Sequence, residues 1–265
     1  MRSVTIALTA VLLSVTAGCT GEKDRGQQPE PAAATDLPRG GQRVELNPDD
    51  FTTHITNRYW PMKPGTRWTY RETDEEGNVQ DVVVVVTRQT RRIANGVTAR
   101  VVRDTVSAKG EVVEDTRDWY AQDRAGNIWY LGEDTAEFED GKVASREGSF
   151  EAGADGAQAG IIVPAHPRPG LSYRQEYLQG EAEDNGEVLS LDEMAQVPLG
   201  RYKDALLTKD TSGTEPNVVE YKLYAPGTGP VLTLGVSGGA GREELVRMDQ
   251  APSSAGTGPL GSPNP

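Results

Sequence analysis

The sequence predicts an all-β protein: a long, curved, mainly antiparallel sheet, a meander or partial barrel, with a large Gly/Pro-rich crossing loop. Three observations predict it. Valine is abundant, while only three Phe occur in 265 residues, a composition that favours strands. Gly77, Gly96, Gly110, Gly126 and Gly141 each sit in a polar turn, at spacings of 19, 14, 16 and 15 residues, with β-branched and aromatic runs between them; this is the beat of successive hairpins. No stretch of the body keeps an apolar helical period beyond a turn or two.

The N-terminus sets the compartment. Arg2 is the only charge in the first 18 residues, and Val4 to Val15 is a short run of Val, Ile, Ala, Leu, Thr and Ser. That is the length of a signal-peptide core and short for a membrane span. Small residues then lead into Cys19, the only cysteine. This ending resembles a bacterial lipobox, with Thr16 where such motifs most often carry Leu. Residues 1–18 therefore read as a signal peptide and Cys19 as the lipidation site. The bland alternative is an ordinary secretory signal with a stray cysteine. A diacylglyceryl group on Cys19 makes the membrane a partner, since two acyl chains suffice for stable anchoring. The expected location is the outer face of the bacterial cytoplasmic membrane, exported and lipid-anchored.

Cleavage before Cys19 leaves 26 Lys+Arg against 40 Asp+Glu, a net charge of −14. Such a surface repels nucleic acid and anionic lipid. No disulfide is available, so a body of about 200 residues must be stabilised by its own core.

Residues 19–46 are rich in Gly, Gln, Pro, Ala and charge and read as a lipidated flexible tether, with a span of roughly 30 Å as a coil. Residues 47–249 read as a single β-domain. Pro61 and Pro64 keep Tyr59–Tyr70 extended, and Pro64-Gly65 turns into a strand carrying Trp68 and Tyr70 on one face. Val79–Arg91, Val97–Ser107, Val112–Gln122 and Asn127–Leu131 follow as strands, several longer than usual, which favours a curved sheet. A two-residue Ala125-Gly126 loop would pair Gln122 with Trp129 and Tyr120 with Leu131; a G1 bulge would shift the pairing by one. Either way both faces carry large apolar groups, as do the five valines Val82–Val86, so the sheet is expected to be covered on both sides at its centre. Gly148 to Gly170 holds Gly153, Gly156, Gly160, Pro164, Pro167 and Pro169 and reads as the crossing loop. Strands resume at Leu171–Leu178, Glu187–Val197, Arg201–Lys209, Val218–Ala225, Val231–Val236 and Glu243–Met248. Residues 250–265 read as a disordered Gly/Ser/Pro tail.

Three passages taken together carry a resemblance. They are Tyr59-Trp60-Pro61…Pro64-Gly65-Thr66-Arg67-Trp68-Thr69-Tyr70, then Gln122-Asp123-Arg124-Ala125-Gly126-Asn127-Ile128-Trp129-Tyr130-Leu131-Gly132-Glu133, and Glu176 followed by Ala182-Glu183-Asp184. Over about residues 50 to 248 the chain resembles a group of uncharacterised secreted or lipid-anchored envelope proteins of Gram-positive bacteria. The resemblance implies an envelope β-domain and carries over no catalytic residue.

Candidate chemistry is sparse. Gly235-Val236-Ser237-Gly238-Gly239 matches a nucleophile elbow by letter, but no helix pattern follows and no His lies beyond His166. A Gly-rich hairpin loop is the better reading. His54 and His166 are the only histidines, and with one cysteine they make no zinc pattern. Glu181, Glu183 and Asn185, with Gly186 next and Asp192 at the twelfth place, echo a calcium loop; weakly bound calcium is the one cofactor candidate, against a solvated acidic turn. Trp60, Trp68, Trp119, Tyr120, Trp129 and Tyr130 are candidates for a lipid or glycan platform, against a role as core. With 40 acids, carboxylate pairing for hydrolysis has no discriminating power. The expected function is a non-catalytic binding or structural module; the alternatives are a carrier of an acyl chain or other apolar ligand in a half-barrel and, third, a carboxylate-dependent hydrolase.

Overall fold

The computed structural model describes residues 37–262. The predicted signal peptide, Cys19 and tether residues 20–36 lie outside the described residues, as do 263–265. Sixteen strands follow one short 3-10 turn (Pro48–Asp50). They are β1 (Phe51–Thr52), β2 (Thr66–Thr73), β3 (Val79–Arg92), β4 (Thr98–Ala108), β5 (Glu111–Asp123), β6 (Ile128–Glu139), β7 (Lys142–Ser145), β8 (Phe150–Glu151), β9 (Gln158–Val163), β10 (Ser172–Arg174), β11 (Glu176–Tyr177), β12 (Asp184–Val197), β13 (Gly200–Ser212), β14 (Val219–Ala225), β15 (Gly229–Ser237) and β16 (Arg242–Gln250).

The all-β expectation holds. The strands form one antiparallel sheet in the order β10-β12-β13-β14-β15-β16-β2-β3-β4-β5-β6-β9-β11. All five turn glycines adopt positive φ. At Gly126 the turn closes with Gly126 N–H donating to Asp123 O at 3.0 Å, and Tyr120 pairs with Tyr130, the one-place shift. Tyr120 and Tyr130 therefore share a face.

The sheet is nearly closed into a barrel by one short segment. Ser172–Arg174 pairs with β12 through Arg174↔Asn185. Two residues on, Glu176 pairs with Ala159 of β9. The strip thus touches both ends of the sheet. Arg174, fully buried, donates to Ala159 O at 2.6 Å, Gln42 O at 2.6 Å and Gly40 O at 2.5 Å. Burial lowers its pKa to about 10. Gly160 makes the close approach possible: a Cβ there would lie 2.3 Å from Gln175 O and 2.4 Å from Arg174 O.

Three predicted boundaries change. The ordered body begins at Leu37 rather than Asn47: Pro38 O accepts Arg174 N–H at 2.7 Å, Gln158 Oε1 accepts Val44 N–H at 3.3 Å, and Leu37, Val44 and Leu46 pack on the core. The middle segment is not simply a crossing loop. Ala157 to Val163 is a proline-free run, and its last six residues become β9, a wall strand hydrogen-bonded to β6. The C-terminal segment to residue 262 is docked, not loose. It packs on the sheet face carrying Val83, Val85, Arg103 and Asp115, with Ala255 buried beneath. Arg103 and Asp115, both almost wholly buried, form a bidentate ion pair on that face. Arg103 Nη2 also donates to Ser262 O at 2.7 Å, and Gly261 N–H donates to Asp115 Oδ2 at 2.7 Å. Backbone groups hold the tail, which is why its Gly/Ser/Pro composition hid the contact.

The segment between β1 and β2 plugs one end of the barrel. Ile55 and Met62 form an isolated bridge, Asn57 Nδ2 donates to Gly126 O at 2.9 Å, and Arg58 O accepts Gly227 N–H at 2.8 Å. These bonds tie two hairpins to the plug.

Gly160→Ala should cost about 3 kcal/mol or more, because the new methyl meets backbone that cannot rotate away; an unchanged urea midpoint would disprove the close seam. Arg103→Ala should cost about 3–5 kcal/mol, since it leaves Asp115 buried without its cation. Urea denaturation checks it, and truncation after Gln250 should lower the midpoint in the same assay.

Candidate functional site

Strand alternation decides what the closed sheet encloses. On β4, Val102 and Asp104 share a face; on β5, Asp118 and Tyr120 do. Cross-strand pairing places Val84 beside Asp104 and Val102 beside Asp118. On the opposite wall, Lys222 pairs with Thr233, and Thr233 with Glu243. These residues line a lumenal cavity of about 180 Å³, with Trp60, Tyr70, Tyr224, Ile162 and Pro230.

Trp60 rises from the plug. Its ring centroid is 5.5 Å from Tyr120 and 6.0 Å from Tyr224. Gly229 leaves it room: a Cβ there would stand 2.7 Å from Trp60 Cδ1. Tyr130 stacks on Tyr120 at 5.0 Å, and its hydroxyl donates to Asp118 Oδ1 at 2.7 Å. Tyr70 donates its hydroxyl to Pro230 O at 3.0 Å.

Two polar atoms of the lining have no hydrogen-bond partner among the described residues and almost no solvent contact: Trp60 Nε1 and Asp104 Oδ1. One is a donor, the other an acceptor. Thr233 and Glu243 also line a second cavity of about 180 Å³, with Glu72, Glu220 and the Gly235–Gly241 loop. The glycine loop that mimicked a nucleophile elbow is thus a hairpin connection beside the lumen, as expected.

The lumen is acidic, and the carboxyls raise one another. Burial pushes Asp104 well above the usual carboxylate range, helped by Asp118 and Glu243. Asp118 rises to about 6 through burial, opposed by the Tyr130 hydroxyl. Burial carries Glu133, paired across from Asp118, to about 9, with Asp118 and Glu176 adding. Glu176 reaches about 8 through burial and then Asp184. Glu243 reaches about 7 through burial and then its cross-strand neighbour Glu72. Lys222 is the cation in the lining. Burial disfavours its charge, but Asp210 at 3.2 Å and Glu220 at 3.4 Å more than restore it.

The predicted aromatic platform divides. Trp60, Tyr120 and Tyr130 come together in the interior. Trp68 is fully buried and donates Nε1 to Thr228 O at 2.8 Å. Trp119 lies under the guanidinium of Arg91, 4.0 Å from its ring centroid. Trp129 donates Nε1 to Asp123 Oδ2 at 2.8 Å and meets Phe51 edge-on. These three are committed to packing rather than to a shared face.

The predicted calcium set is not brought together. Glu183 Oε1 accepts Gly180 N–H at 2.8 Å, and Asn185 Nδ2 donates to Glu183 O at 2.9 Å. Glu181 is exposed, and Asn185 and Asp192 both lie in β12, seven residues apart on an extended strand, a run of about 23 Å at the usual rise. A calcium loop needs its chain to curl around the ion; here it is a ladder strand. Among the described residues no group of three or more His, Cys, Asp or Glu could hold a metal. His54 and His166 are exposed. A larger cavity of about 590 Å³, between Arg43–Leu46 and Ala152–Ala159, holds none of the predicted site residues.

Sequence reasoning missed Asp104, Asp118, Glu133, Lys222, Tyr224 and Glu243. Their signal was a charge in phase with valines inside a strand, as in Val102-Arg103-Asp104-Thr105-Val106.

No known family profile matches the chain, and no curated protein matches it. Two solved structures do. One is a "putative lipoprotein" from Parabacteroides distasonis, 12% identical, covering 73% of this chain and 99% of that one, with a TM-score of 0.40. The other is a β-barrel-like protein of a domain of unknown function from Brucella abortus, 12% identical, covering 71% and 98%, with a TM-score of 0.34.

The raised carboxyls fix a pH trend. Each holds its proton in the folded chain where the unfolded chain would release it, so the folded state binds more protons above the ordinary carboxylate range. Stability should therefore fall as pH rises from the ordinary Glu value of 4.5 towards the Glu133 value of about 9. Thermal melts across that window should show the decline, and Glu133→Gln with Glu176→Gln should flatten it. A stability that climbs over the same window would contradict the buried, proton-holding cluster.

Proposed function

We propose that the chain is a lipid-anchored, extracytoplasmic binding module whose barrel lumen receives a small polar ligand. Residues 1–18 direct export, Cys19 carries the lipid, and residues 20–36 link it to the ordered body. One observation carries the binding role. Trp60 and Asp104 line the same cavity, and Trp60 Nε1 and Asp104 Oδ1 have no hydrogen-bond partner among the described residues. Leaving such groups unpaired costs about 1–3 kcal/mol each, and a ligand supplying both partners recovers that cost.

The acyl-carrier alternative has less support. Its cavity should be apolar and hundreds of Å³ in volume, whereas this lumen is about 180 Å³ and is lined by Asp104, Asp118, Glu243 and Lys222.

Native mass spectrometry of the protein released from its own membrane should show a small bound molecule, lost in Asp104→Asn. Cys19→Ser should move the protein from the membrane to the soluble fraction and remove the acyl mass. A protein that stays membrane-bound and acylated after Cys19→Ser would refute the anchor, and a chain that never carries a ligand would weaken the binding role.

A further inference from the structure

The identity of the ligand class follows from the charge balance of the lumen, and the inference rests on the binding role proposed above. Asp104, Asp118 and Glu243 line the cavity, and none forms an ion pair among the described residues. Lys222 does not balance them, because its ammonium sits on Asp210 and Glu220 instead. Asp118 is satisfied by the Tyr130 hydroxyl, but Asp104 Oδ1 has no donor. A lone carboxyl in such a setting keeps its proton rather than carry an uncompensated charge; an arriving ammonium lets Asp104 ionise and pairs it at once, so the partner this site favours most is a positive charge.

The walls suit the same partner. The rings of Trp60, Tyr120 and Tyr224 surround the cavity, and aromatic faces attract ammonium groups. The adjoining cavity is acidic too, with Glu72, Glu220 and Glu243 against Arg242 in its lining; such a balance favours cations over anions. Trp60 Nε1 adds a second requirement. It is a donor without an acceptor and is 91% buried with its side chain, so the cation must also carry an oxygen.

We propose that the lumen binds a small hydroxylated amine, its ammonium on Asp104 and its hydroxyl oxygen on Trp60 Nε1. An amino alcohol or an amino sugar has this chemistry. A bare metal ion lacks the oxygen, a neutral sugar lacks the charge, and a fatty acid carries the wrong charge for this lining.

Isothermal titration calorimetry on the full mature chain at pH 7 tests it, with ethanolamine and glucosamine against their uncharged counterparts ethylene glycol and glucose. The amines should bind at least tenfold more tightly than their counterparts. Asp104→Asn should erase that preference, and Trp60→Phe, which keeps the ring and removes the donor, should weaken ethanolamine more than it weakens ethylamine. Thermal melts confirm that each variant is folded; if Asp104→Asn is not, Glu243→Gln takes its place and should weaken amine binding severalfold. Neutral compounds binding as tightly as the amines would overturn the cation while leaving a binding lumen intact. Full amine affinity in folded Asp104→Asn would overturn the assigned contact. Heat from none of the four probes at millimolar concentration would overturn both the cation and the binding role beneath it.

Discussion

The closure made by Ser172–Tyr177 is the constraint on which the rest of the structure depends. An open sheet of this length would expose two edges of unpaired backbone groups, which is costly and invites association. Here one six-residue strip hydrogen-bonds to β12 with its first half and to β9 with its second. The approach is so tight that position 160 has room for hydrogen alone, and Arg174 binds three carbonyls across the junction. An arginine held by carbonyls has no ion to neutralise; its value is geometric, five donors in a rigid fork joining three chain segments.

Once the ends meet, the alternation of side chains gains a consequence it lacks in a flat sheet. Every second residue on each wall faces one enclosed space, so residues from β4, β5, β14 and β16 become neighbours. Val84 beside Asp104 and Val102 beside Asp118 show how valine and acid share that surface. The opposite face takes the Arg103–Asp115 pair, roofed by the C-terminal segment. Both faces of the strands are thus covered, each by a different means, and the plug with Trp60 finishes one end.

That division explains how much the sequence disclosed. The hairpin beat was legible because positive φ at Gly77, Gly96, Gly110, Gly126 and Gly141 is a local demand. The two-sided burial was legible because Val82–Val86 is apolar in both phases. The lumenal acids were not. Asp104 on β4 and Glu243 on β16 come near only when β16, β2, β3 and β4 pair in that order and the sheet curls, and nothing within ten residues of either encodes that. The docked tail was hidden for another reason: its contacts are backbone carbonyls and amides received by Arg103 and Asp115, which residue type does not report. The calcium-like spacing runs in part along β12, because spacing alone cannot distinguish a curled loop from a strand. The aromatic set was half informative, since Trp60, Tyr120 and Tyr130 do gather, while Trp68, Trp119 and Trp129 went to packing.

Stability alone does not account for the lumen. A barrel of this size could fill it with the valine and leucine it uses elsewhere, and replacing buried charges by apolar groups of similar volume is often neutral or stabilising. Instead the chain keeps Asp104, Asp118, Glu133, Glu176 and Glu243 in mutual repulsion, each raised by burial and several by one another. Departures from the cheapest packing concentrate where a protein does something other than fold. The departure here is also specific. Neither Arg103 nor Asp115 has a buried polar atom without a partner, whereas Trp60 and Asp104, which line one cavity, leave a donor and an acceptor unpartnered among the described residues. A chain that pairs the buried Asp115 with an arginine on one face of the sheet, and leaves Asp104 without such a partner on the other, fits the binding lumen proposed above.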